Sequence, residues 1–87
     1  MYEDIILEII QYIKDDIEVD KLEISKIRKE KNKIKKYIKD GQDLEINNEE
    51  LEEELLIREY KINSIKEKIS NEKKAIYRLN KAIDLLK

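Results

Sequence analysis

Apolar residues recur along this chain in alternating steps of three and four. In the second half Leu55, Ile62, Ile69, Ile76 and Ile83 stand seven residues apart; call these positions a. Leu51, Ile65, Leu79 and Leu86 fall at d, where Arg58 and Glu72 are polar exceptions. The first half repeats the pattern. Ile10, Ile17, Ile24 and Ile38 take a, and Ile6, Ile13, Ile27 and Ile34 take d; Lys31 at a and Asp20 at d break the run. A heptad sustained over this length predicts amphipathic helices that pair along a narrow stripe, as in a coiled coil. Isoleucine at d suits a parallel dimer poorly, which points to another geometry.

The two heptads do not share a phase. Continuing the first would put d at Gly41 and Asn48, whereas the second needs d at Leu44 and Leu51. The slip falls in KDGQDLEINNEE, which holds the only glycine of the chain. Glycine is favoured just past a helix end, and Asn47 followed by Glu50 has the spacing of a capping box. Lysines 33, 35, 36 and 39 precede this stretch and glutamates 49, 50 and 52–54 follow it, which suits the dipoles of one helix ending and another beginning. The expectation is a single all-α domain over residues 1–87: helix over about 2–39, turn over about 40–47, helix over about 48–87.

Charge strengthens this reading. Residues 1–25 carry net −6, 26–39 net +7, 40–60 net −8 and 61–87 net +5. Folding the chain back near residue 44 sets opposite signs against each other in both halves, which penalises wrong registers more than it adds stability. In an antiparallel register where facing residue numbers sum to about 89, seven layers are wholly apolar, from Ile38 with Leu51 to Ile6 with Ile83. Glu23 and Asp16 should then approach Lys61 and Lys68. An arm-swapped pair of continuous helices would make nearly the same contacts; the dipole pattern favours the hairpin.

Composition narrows the chemistry. The 87 residues are 46% charged and 40% hydrophobic, with no Pro, Cys, His, Trp or Phe. Thiol and imidazole chemistry are absent, no phosphate-binding loop or nucleophile–base pair is visible, and no cofactor, metal site or enzymatic activity is expected. The N-terminal MYEDIILEII is acidic where a signal peptide would be basic, and its apolar run is too charged to span a membrane, so a cytoplasmic protein is expected. Lysine far outnumbers arginine, and isoleucine and asparagine are frequent, a usage that fits an AT-rich genome such as a low-GC bacterium or a phage.

The remaining surfaces supply the candidates. Ile5, Leu7, Ile9 and Tyr12 on the first helix, with Ala75, Tyr77, Ala82 and Leu85 on the second, lie off the seam near the termini. Together they are a candidate protein interface, and self-association into a four-helix bundle is the simplest use of it. A smaller patch, Leu56, Ile57 and Tyr60, could serve a partner or pack under Leu44 and Ile46. Lys31 and Arg58 share one layer and should send their heads to Glu30, Glu54 and Glu59. Asp20 and Glu72 fall in adjacent layers, with Lys21, Lys68 and Lys73 near, and are expected to form a solvated polar break.

The functional expectation is a non-catalytic interaction module, a homodimer and partner of another protein, acting as adaptor or inhibitor. The alternative uses the basic edge of Lys14, Lys21, Arg28, Lys35, Lys66 and Lys73 to bind RNA or DNA. In outline a dimer of helical hairpins resembles the Rop copy-control family, whose members bind RNA; no residue motif of that family is matched, and the net charge of −2 speaks against phosphate binding.

Overall fold

The computed structural model describes residues 1–42 and 49–87. They form two helices, α1 (Tyr2–Gln42) and α2 (Glu49–Leu86), packed against each other. Proline is absent from the chain. Acids open both helices, Glu3 and Asp4 in α1 and Glu49, Glu50 and Glu52 in α2, and Lys39 stands in the last turn of α1. Each complements the helix dipole.

The cross-helix ion pairs fix direction and register. Asp16 pairs with Lys68, Glu30 with Arg58, and Lys31 with Glu59. Residue numbers rise on one helix as they fall on the other, so the packing is antiparallel, and the register is the one the heptads predict. Principal extents of 67 × 14 × 12 Å and a radius of gyration of 19.8 Å describe a rod. A compact domain of this length would have a radius near 12 Å. The stabilising apolar surface therefore lies along a line and not around a centre.

That line is the a/d seam. Ile10, Ile17, Ile24 and Ile27 of α1 and Ile62, Ile69 and Ile83 of α2 are buried. Ile17, Ile24, Ile27, Ile62 and Ile69 form one continuous cluster, with Ile13, Ile65 and Ile76 packed against it. Both members of every expected apolar layer, from Ile38 and Leu51 to Ile6 and Ile83, are buried or half-buried.

The first helix departs from expectation at its end. It continues through Asp40 and Gly41 to Gln42, where a turn was expected from about residue 40. Gly41 is helical and buried at the d position that follows Ile34. The first heptad thus keeps its phase to the end of α1. Glycine costs about 1 kcal/mol against alanine in a helix interior, but at a seam position its missing Cβ also permits a close approach of neighbouring backbone. The expected cap at Asn47, the d position at Leu44 and the packing of Leu44 and Ile46 lie outside the described residues.

Candidate functional site

Two kinds of site stand out on this rod: polar layers inside the seam, and apolar side chains outside it.

The basic layer is fully partnered. Lys31 donates through Nζ to Glu59. Arg58 donates through Nε to Glu30 at 3.2 Å, and through Nη1 to the Glu54 carboxylate and to the Glu54 carbonyl at 3.3 Å. The stems lie in the seam while the heads leave it, the snorkelling that long side chains permit. The side chains of Lys31 and Arg58 are 17% and 22% exposed, against 51% for Glu59 and 41% for Glu30. Glu54, then Glu30, pushes the Arg58 guanidinium further toward its charged form. Lys31 holds Glu59 below the usual carboxylate range.

The acidic layer differs. Asp20 is only 5% exposed, so it is not the solvated break expected from its charge. From a d position its single methylene cannot carry the carboxylate out to water. Lys68 reaches in from α2 instead, 3.2 Å from Asp20 Oδ1 and 3.0 Å from Asp16 Oδ2. Hydrogen bonding to Lys68, then to Glu72, lowers Asp16. Asp16, then Asp20, raises Lys68 above its ordinary value. Glu72, half-buried on α2, completes the group. Oxygens of Asp16, Asp20 and Glu72 lie within 4.8 Å of one another. Asp20 Oδ2 and Glu72 Oε1 are buried with no hydrogen-bond partner. Burial first, then the Asp20 and Asp16 carboxylates, push Glu72 up to about 7. Three carboxylates at this spacing could meet a divalent cation, but the Lys68 ammonium already sits on two of them.

Outside the seam, exposed apolar side chains crowd the end where the termini meet; Met1, Tyr2, Glu3 and Leu86 line one shallow depression there. Ile5, Leu7, Ile9, Tyr12, Tyr77 and Leu85 are exposed, and Ala75 and Ala82 are half-buried. The register sorts them onto two faces. The helix edges that carry Asp16 and Lys68 face each other. Ile5, Ile9 and Tyr12 lie on that side of α1, and Ala75, Ala82 and Leu85 on that side of α2, by heptad position. Leu7 and Tyr77 lie on the opposite side, where Lys81 caps the Tyr77 ring at 4.7 Å. Distance from the seam alone joins all eight into one patch; the side of the seam divides them.

Farther from the termini, Glu23, Glu30 and Lys61 line a common groove on the Asp16 side, and Glu30 gives its ion pair to Arg58. Leu56, Ile57 and Tyr60 are exposed on the outside of α2. Lys14, Lys21, Arg28, Lys35, Lys66 and Lys73 are all exposed. Acids interrupt that basic edge: Lys21 pairs with Glu18 at 3.3 Å, and Lys66 and Lys35 help to hold Glu59 ionised. Among the described residues no helix is long and apolar enough to cross a membrane. No protein-family model matches the chain, and neither a curated protein nor a solved structure matches it.

Proposed function

We propose that this protein is a non-catalytic interaction module, a helical hairpin that works as an adaptor or inhibitor by occupying a surface of another protein. Its first partner is a second copy of itself, and two hairpins form a four-helix bundle at their open ends. One observation carries the reading: on the Asp16 side of the open end, exposed Ile5, Ile9 and Tyr12 stand beside half-buried Ala75 and Ala82.

That face has its own complement. Large side chains of α1 project next to alanines of α2, which leave room for them. A two-fold axis would set the isoleucines of each copy over the alanines of the other, as an isologous interface requires. Apolar area removed from water contributes about 25 cal/mol per Å², and a narrow two-helix seam leaves much of it wet. Side-by-side hairpins with opposed ends would press this face onto Glu23, Glu30 and Lys61 of the partner, so overlap of open ends is the favoured arrangement. The exposed Leu56, Ile57 and Tyr60 remain outside that overlap and offer a surface for a different protein.

Light scattering over a concentration series tests the proposal. The chain should weigh twice its 10.5 kDa, and Ile9→Lys with Ala82→Lys should return it to a single chain with its helix content kept. A doubly substituted chain of unchanged mass would refute the interface.

A further inference from the structure

Asp20 on α1 and Glu72 on α2 meet inside the seam. Asp20 Oδ2 and Glu72 Oε1 are each buried without a donor. Buried acceptors left unpaired are costly, and ionised carboxylates with oxygens within 4.8 Å of each other repel. Among the described residues the ammonium that pairs with this group, that of Lys68, is already engaged with Asp16 at 3.0 Å and with the other Asp20 oxygen at 3.2 Å. A single proton removes both problems. A protonated carboxyl is a donor as well as an acceptor, so Glu72 carrying a proton can donate to Asp20 and leave neither side bare.

We propose that this layer is a proton-binding site, in which one proton is held between Glu72 and Asp20, and that losing it above neutral pH loosens the hairpin. The charged groups facing Glu72 are Asp16 and Asp20 from α1 and Lys68 one turn earlier on α2 itself. All three fit the assignment: two negative neighbours favour the neutral acid, and the cation is committed to them.

The sign follows from linkage. Glu72 is raised from an ordinary 4.5 to about 7 in the folded chain. Between those values the folded chain holds a proton that the unfolded chain has lost, so stability falls as pH rises from about 5 to about 7.5 and then levels off. Asp16 and Glu59 act in the opposite sense. Their carboxyls are lowered, so their contribution is present above the ordinary carboxylate value and is lost only in stronger acid. Together these place the stability maximum at mildly acidic pH. The site does not depend on self-association, since all four residues belong to one chain.

Thermal unfolding followed by circular dichroism at pH 5, 6, 7 and 8, at fixed ionic strength and protein concentration, reads the effect. The wild-type midpoint should fall by about 5–10 °C from pH 5 to pH 8. Glu72→Gln, which keeps a donor at every pH, should melt at one temperature throughout and above the wild type at pH 8. Glu67→Gln, at an exposed position of the same helix, should keep the wild-type slope. A flat or rising wild-type midpoint, or an unchanged slope in Glu72→Gln, would overturn the proposal. Should Glu72→Gln fail to fold, a carboxyl ¹³C titration of the wild-type protein decides: a Glu72 midpoint near 7 supports the shared proton, and one below 5 removes it. Stabilisation of the wild type at pH 8 by millimolar Mn²⁺, absent in Glu72→Gln, would make the occupant a metal ion and overturn the proton.

Discussion

The seam contains two polar interruptions, and they fare differently. Lys31 and Arg58 place two positive charges in one layer, yet each head reaches an acid at the rim: Glu59 for Lys31, Glu30 and Glu54 for Arg58. Asp20 and Glu72 bring acidic groups into neighbouring layers, and one oxygen of each stays buried and unpaired. Both cases set two groups of the same charge type together. The difference is reach. Long flexible stems let a charge leave a two-helix seam while the methylenes fill it. A carboxylate on one or two methylenes stays where its Cα puts it, and the partner must come to it, as Lys68 does. A polar seam position therefore sets register at little cost when it is Lys or Arg, and stores unsatisfied chemistry when it is Asp or Glu.

Substitutions can break or sharpen this contrast. The largest effect belongs to the apolar layers that hold both interruptions in place. Ile62 is 3% exposed and follows Arg58 by one turn; Ile62→Ala should cost about 2–4 kcal/mol in urea unfolding. A loss under about 1 kcal/mol would mean that the seam is not the main support of the rod. Next comes Asp20→Leu at pH 8, which should stabilise by about 1–3 kcal/mol, since apolar replacement of a poorly satisfied buried charge is often favourable. The smallest is Lys31→Leu, whose midpoint should stay within about 2 °C of the wild type, because the pair it removes is a rim contact. Equal gains from Asp20→Leu and Lys31→Leu would refute reach as the distinguishing cause.

The heptads make the helices, their antiparallel register and the basic layer legible in the sequence. Spacing in sequence reports the angle around a helix, and angle alone decides which residues enter a seam. It reports depth and company poorly. By heptad position Lys68 falls near Asp20, but aspartate is ordinarily solvated, and how far the ammonium covers the carboxylate depends on the offset between two helices and on side-chain length. Glycine is favoured past a helix end, which makes Gly41 look like a stop, yet it keeps its place in the seam to the last turn of α1. That the apolar side chains near the termini lie off the seam was legible residue by residue, but their division into an Asp16 side and a Tyr77 side needed the helices set against each other.

Self-association through the open end is the claim on which the functional reading rests, and sedimentation equilibrium of the wild-type chain addresses it most directly. The account predicts a mass of two chains, twice 10.5 kDa, that persists on dilution through the micromolar range. A mass of one chain at the highest concentration reached would contradict it.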